Sequence, residues 1–463
     1  MKRIFPYKSL QMFGFLLGVL LCTLGLTACD DDDSSGSKSP VKIHKVYLQD
    51  ASSSVPDREV DFARIGQIIR IEGSGFTGMK RVYINGYNTY FNPVYVSDGS
   101  MLVSIGRSTP IADAEPEDRN TIRLVKEGSE DTFSIEIRAA APTITRISHT
   151  LPKAGENIII YGTGLLEIDK IVFPGNIEVT TGITSDADGE FCIVTVPDGV
   201  SQQGGSIFLE GANGGAYSPA YFNFHPGVFL NFDDVGEIGS WGTTLSEDDL
   251  LSTPVGEGTT SQGNYIPHRP ERIESFGVNS NRCTEVWTSG DENWRSLFTP
   301  YIPADTPVDQ VAFQFDMYVP DIWTATGYLK VLLVNNYNGG VWQGAVYNYI
   351  PWLVDGEILP YQSDGWRTVT IPFSDFYAFS DAEGNYTFED VLQVREEATY
   401  PNFGFYFENT NFTLANVTGN SSDSEVEFDS AETSVSVFTD NWRVVSLETP
   451  SYSDFPEEDE EEE

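Results

Sequence analysis

The stretch Gly66-Gln-Ile-Ile-Arg-Ile-Glu-Gly73-Ser-Gly75-Phe76 sets the fold. A strand-like run enters a Gly-x-Gly turn and leaves on a large apolar side chain. The same pattern returns 89 residues later as Gly155-Glu-Asn-Ile-Ile-Ile-Tyr-Gly162-Thr-Gly164-Leu165. One offset also carries Val82-Tyr-Ile-Asn-Gly86 onto Ile171-Val-Phe-Pro-Gly175, so two blocks together mark an internal repeat. Each unit reads as a strand, a tight glycine turn where positive φ is needed, and a second short strand. This is no phosphate loop, because no helix follows and no Lys or Ser/Thr stands at the phosphate-binding spacing.

Outward from the repeat, the chain divides by composition. All eight tryptophans lie beyond residue 240, at Trp241, Trp287, Trp294, Trp323, Trp342, Trp352, Trp366 and Trp442. Alternating segments such as Val311-Ala-Phe-Gln-Phe-Asp-Met-Tyr-Val319, bounded by Pro, Gly and Asp, predict a large antiparallel sandwich or jelly roll over 227–449. The fold class is therefore all-β: two small sandwiches, 41–140 and 141–225, then a larger one. Pro142 and Pro226 sit at the seams and predict a semi-rigid stalk, two units of ~30 Å each in line. Residues 450–463, ending in seven acids, predict a solvated disordered tail.

The first segment is a targeting signal. Lys2, Arg3 and Lys8 precede the uncharged apolar run from Met12 to Leu26, too short for a comfortable membrane span, and Leu26-Thr27-Ala28-Cys29 follows. Small residues before a cysteine resemble the bacterial lipobox, which implies cleavage after residue 28 and lipidation of Cys29. Asp30 to Asp33, in the tether 29–40, resemble the acidic tag that sends lipoproteins to the outer cell face; a solvated spacer is the other reading. The acyl chains would then anchor the protein to the membrane. The formal net charge of −42 opposes nucleic-acid backbones and anionic lipid surfaces. Cys192 and Cys283 lie in different predicted domains, so no disulfide framework is expected.

Tryptophan offers a rigid flat face for the C–H side of a neutral sugar ring, while amides and carboxylates bond its hydroxyl rim. Trp366 and Trp442 enter strands and read as core. Trp323, Trp342, Trp352 and Trp294 are flanked by turn and polar residues and are the candidate platforms, with Tyr349 as a further ring or hydroxyl contact. Replacing Trp323 or Trp352 by Ala is expected to lower glycan affinity and leave the melting temperature unchanged.

The G-x-G-(aromatic or Leu) turn of each small unit resembles the IPT/TIG family of immunoglobulin-like sandwiches. Tyr349-x-Pro351-Trp352, Gly365-Trp-x-Thr-Val-x-Ile-Pro372 and Asp440-Asn-Trp-Arg443 are similar to the C-terminal xyloglucan-binding-type domain of surface glycan-binding lipoproteins from polysaccharide-utilisation systems. The resemblance implies non-catalytic binding of a β-glucan or xyloglucan-like polysaccharide at the outer-membrane surface. It further implies work beside a TonB-dependent importer, its SusD-like partner and surface glycosidases, with loop aromatics at Trp323, Tyr349 and Trp352 as platforms.

Two other function classes stay open. Glu427-Phe-Asp429-Ser-Ala-Glu432 fits the E-x-D-x-x-E spacing of one jelly-roll glycosidase family, although Ser430 and Ala431 replace the usual apolar spacers. An adhesin or spacer would keep its tryptophans internal. No cofactor is expected. Four scattered histidines lack ligand spacing, and Asp233 and Asp440 are candidates for a structural calcium or, alternatively, surface and turn-capping acids.

Overall fold

The computed structural model describes residues 39–239, 242–253, 261, 263–270, 280–289, 293–335, 345–381, 383–418 and 427–455. Lipidation of Cys29 and the roles considered for Trp241 and Trp342 lie outside the described residues. The chain forms two compact units, one ending at Arg138 and one beginning at Ala139. The expected all-β class is borne out.

The first unit is an immunoglobulin-like sandwich. One sheet runs Asp57–Glu59, Lys42–Gln49, Ile68–Ser74, Ser100–Ser104; the other runs Tyr87–Thr89, Met79–Ile84, Thr121–Lys126, Ser129–Ser134. Ile69, Ile71, Val82, Ile84, Ile122 and Leu124 fill the space between them, as period-2 alternation requires.

The second unit begins with the repeat of that sandwich. Thr143–Ile147, Asn157–Thr163, Phe191–Thr195 and Thr184–Ser185 form one sheet; Ile177–Val179, Lys170–Phe173, Phe208–Gly211 and Gly214–Tyr217 form the other. The repeated glycines have one physical cause in both copies. A Cβ on Gly73 would lie 2.0 Å from the Lys42 carbonyl oxygen, and one on Gly162 1.8 Å from that of Thr143. Gly75 and Gly164 hold φ at +74° and +69°. Phe76 and Leu165 then turn inward and are fully buried.

The larger sandwich follows. Its first sheet is ordered Val228–Leu230, Val437–Ser446, Val311–Tyr318, Arg367–Pro372, with Ile266–His268 also paired to Val437–Ser446. Its second is ordered Glu237–Ile238, Ser280–Ser289, Gly404–Asn409, Tyr328–Leu332, Val346–Tyr349. Trp442 lies between the sheets, stacked on Phe315 at 4.2 Å and Phe405 at 4.1 Å between ring centroids.

The second small sandwich does not stand free as part of a stalk. Ala312 and Val445 of the large domain belong to its apolar core. The connecting turn is pinned, since a Cβ on Gly227 would meet the Val444 carbonyl oxygen at 2.2 Å. Between the two sandwiches lies a buried polar network. Arg443 donates to Asp316 Oδ1 (2.8 Å), Thr150 Oγ1 (2.9 Å), Thr368 Oγ1 (3.1 Å) and Gln314 Oε1 (3.1 Å). His149 stands 3.5 Å from Asp316 and 3.4 Å from Glu156. The tail expected from residue 450 also needs correction. Tyr452 packs on Phe208 at 5.4 Å and Tyr217 at 6.2 Å, because a large ring beside an open aromatic surface gains more from burial than from solvation.

Candidate functional site

Strand order settles where the four described aromatic positions lie. In the second sheet of the large domain neighbouring strands are antiparallel. Trp323 precedes Tyr328–Leu332, and Tyr349 and Trp352 end or follow Val346–Tyr349, so these three belong to one end of the sheet. Trp294 follows Ser280–Ser289 and belongs to the opposite end. A five-residue strand separates the two ends by ~15 Å. The four described positions therefore do not converge on one surface.

Nor are the described ones open platforms. Trp323 and Trp352 are 0% exposed and Trp294 is 1% exposed. Trp323 and Trp352 sit in loops that fold back over the apolar core, and Trp294 opens the short helix Trp294–Phe298. Trp323 stacks on Phe407 at 5.5 Å and its Nε1 donates to the Thr326 carbonyl at 2.7 Å. Its backbone exchanges two hydrogen bonds with Tyr361, of 2.8 and 2.9 Å. Trp352 Nε1 donates to the Gly327 carbonyl at 2.9 Å, and its ring meets Phe412 at 6.0 Å. Tyr349 points inward, edge-on to Phe315 at 5.9 Å, and burial pushes its phenol far up. Trp294 lies under the Arg395 guanidinium at 3.9 Å and against Phe229 at 5.0 Å. A saccharide cannot reach the three indole faces in this conformation, which corrects the expectation for Trp323, Trp352 and Trp294; Tyr349 is half-buried.

The loops leave other groups in water. At the Trp323 end, Ile322, Val354, Ile358 and Leu359 are exposed aliphatics. At the opposite end Tyr400 is 50% exposed, and its carbonyl accepts from the Asn335 N–H at 2.9 Å. Asn335 is the last described residue before the segment that contains Trp342. Tyr400 was not singled out from the sequence. Its place between Pro401 and the helix Phe388–Glu397 is a loop signal that sequence reading can recognise.

The sheet's outer face carries a second set that the sequence reading passed over. Register places Glu285, Tyr406, Lys330 and Asn348 in one row across four strands, with Trp287 opposite Gly404 in the next. Gly404 is required there, because a Cβ would stand 2.1 Å from the Trp287 ring. Glu285 accepts from Trp287 Nε1 and from Arg282 Nε at 2.7 Å, Lys330 pairs with Glu408 at 2.7 Å, and Asn348 donates to the Val417 carbonyl at 2.8 Å. Asn348 Oδ1 has no hydrogen-bond partner among the described residues. Trp287, Glu285 and Tyr406 are buried, and Lys330 and Asn348 are partly buried. Strict alternation with the core-facing Leu329, Val331, Phe405 and Phe407 was the signal that marks this row.

The carboxylates weighed for other chemistry are engaged. Asn411 Nδ2 donates to both Glu427 Oε1 (3.2 Å) and Asp429 Oδ1 (3.1 Å), tying this exposed segment to the loop before it. Asp233 accepts from the Asn264 N–H at 2.9 Å; buried Asp440 accepts from the Ser261 hydroxyl and, at 2.7 Å, the Asn441 N–H. No group of three or more His, Cys, Asp or Glu side chains arranged to hold a metal ion occurs among the described residues. Cys192 and Cys283 are both free and buried, and burial raises their thiols to about 12 and about 11.

The second unit is an immunoglobulin-like sandwich packed against a larger, aromatic-filled β-sandwich. Comparison with known proteins shows what this arrangement is similar to. Residues 222–446 match the family described as the surface glycan-binding protein B xyloglucan binding domain. An IPT/TIG domain-containing protein of Bacteroides ovatus is 28% identical over 173 residues, which is 37% of this chain and 34% of that protein, so the match spans about a third of the relative's length. The crystal structure of the surface glycan-binding protein PbSGBP-B from Prevotella bryantii superposes with a TM-score of 0.61 at 16% identity, covering 89% of this chain and 99% of that one. At that identity the likeness speaks for the fold. The resemblance to IPT/TIG-bearing surface glycan-binding proteins read from the sequence is borne out.

Proposed function

We propose that this protein is a non-catalytic binder of a neutral polysaccharide of the xyloglucan or β-glucan class, held at the outer cell surface through an acylated Cys29. The match of residues 222–446 to a xyloglucan-binding-domain family carries this reading. A net charge of −42 agrees with a neutral ligand rather than an anionic one. The importer, its SusD-like partner and surface glycosidases are the partners such a role calls for. We assign sugar stacking to Trp342 and to Tyr400, whose ring is exposed in the loop before Gly404–Asn409. The hydrolase alternative rests on the Glu427/Asp429 spacing alone, and a reducing-sugar assay tests it.

Isothermal titration of the full chain against xyloglucan, mixed-linkage β-glucan, mannan and xylan tests the proposal. A dissociation constant of about 1 μM to 1 mM for a β-glucan is expected, or about −8 to −4 kcal/mol. Reducing sugar should not rise on prolonged incubation. Trp342→Ala or Tyr400→Ala should weaken binding about tenfold with an unchanged melting temperature, the loss of one stacked ring. A blank titration across the panel refutes the function.

A further inference from the structure

The first sandwich carries an exposed aromatic surface that the family match, confined to 222–446, does not reach. Residues 87–97 read Tyr87-Asn-Thr-Tyr-Phe-Asn-Pro-Val-Tyr-Val-Ser97. Tyr90 is 80% exposed, Val94 82%, Tyr95 58% and Tyr87 42%. Isolated surface tyrosines are ordinary, but four large apolar side chains left in water within nine residues form a patch.

The segment is built rather than loose. Asn85 and Gly86, at φ 48° and 76°, turn the chain from Met79–Ile84 into Tyr87–Thr89. Asn92 Oδ1 then caps the short 3-10 turn Pro93–Tyr95 by accepting from the Val94 N–H at 3.0 Å. Pro93 fixes φ at the first turn position, and the Asn92 carbonyl accepts from the Tyr95 N–H at 3.0 Å. The rings are thus presented on a fixed backbone, and a ligand that covers them need order little chain.

The chemistry selects the partner. Charged residues make up 21% of the chain, yet none of these eleven is charged. The phenol oxygens of Tyr87, Tyr90 and Tyr95 have no protein partner among the described residues. Flat rings with free hydroxyls, beside the amides of Asn88 and Asn92, match a neutral sugar's C–H face and hydroxyl rim. A protein partner for so acidic a chain would be expected to call on charge, and this patch offers none.

From these observations we infer that residues 87–97 form a second glycan-binding site, which takes a neutral polysaccharide by stacking on Tyr90 and Tyr95. The inference rests on the polysaccharide-binding reading above. Two sites on one chain would hold a long polymer more tightly than a short oligosaccharide through effective concentration.

Hydrogen exchange of the full chain, with and without soluble xyloglucan or mixed-linkage β-glucan polymer, tests the inference. Added polymer should protect 87–97 as well as the large domain. Tyr90→Ala/Tyr95→Ala should lose about tenfold in polymer affinity, keep its affinity for a cello- or xylogluco-oligosaccharide held by the large domain, and melt as the wild type does. Tyr90→Trp should retain polymer affinity. Protection of the large domain alone, with the double variant binding polymer normally, overturns this inference and leaves the proposed function intact. Absence of binding by the wild type to either polymer overturns both.

Discussion

Trp352 shows how one residue's role turns on its neighbours. Its indole N–H, which a sugar hydroxyl would need, already donates to the Gly327 carbonyl, and its ring faces Phe412 and Phe428. Trp323 is spent likewise on Thr326 and Phe407. Trp323→Ala or Trp352→Ala should therefore cost about 3–5 kcal/mol of stability through the cavity left behind. Thermal unfolding should show a clear fall in melting temperature. An unchanged melting temperature with lost glycan affinity would restore the platform role. Both loops were legible in the sequence from Pro320, Gly327, Pro351 and Gly356. Their inward fold was not, because it depends on Phe407 and Phe412, more than fifty residues away along the chain.

At the scale of the element, the repeated Gly-x-Gly turn is a steric device. The bulge that pairs Ile43 with Gly73, and Ile144 with Gly162, brings a carbonyl oxygen where a side chain would stand. Gly162→Ala should cost about 1–3 kcal/mol through forced displacement of the Thr143–Ile147 strand, and Gly73→Ala a like amount in the first sandwich. Gly155→Ala is the control. Nothing lies within 4 Å of its added Cβ, so only the strain of φ +88° should register. Chemical denaturation of the three variants should rank Gly162→Ala below Gly155→Ala in midpoint; the reverse order would show that the carbonyl is free to move. The Asp440-Asn-Trp-Arg443 motif is likewise structural. Asn441 bulges the strand at φ 51°, Trp442 fills the core, and Arg443 serves the domain junction. The motif thus serves the architecture, while an exposed ring of this domain's loops is that of Tyr400.

For the whole molecule, the decisive feature is the buried ionic junction between the second small sandwich and the large one. Burial alone would lower the His149 imidazole, but Asp316 and Glu156 outweigh it and raise it to about 9. Burial alone would raise the Asp316 carboxyl, yet Arg443 and His149 hold it well below the usual carboxylate range. An unfolded imidazole titrates at about 6.5. The His149 contribution is therefore complete below that pH and is lost as pH rises through about 9. The Asp316 contribution is complete above the ordinary carboxylate range, about pH 4, and is lost on acidification. Melting temperature should peak between about pH 4 and 6.5 and decline toward pH 9.5. His149→Gln should flatten that alkaline decline while lowering the melting temperature at pH 6. Parallel alkaline slopes in variant and wild type would exclude His149 as their source.

The sequence by itself determined the repeat, the all-β class and the aromatic weight of the last domain. Those follow from local rules: glycine where a turn or a close carbonyl forbids a Cβ, alternation along strands, and composition. Only the tertiary structure decided which rings meet water and which sandwiches share a core. Burial of Trp323 and Trp352, and the union of Thr150 and His149 with Asp316 and Arg443, join residues up to 293 positions apart. No local pattern encodes such partners, because the free energy of hiding a ring or a charge depends on what else arrives at the same place.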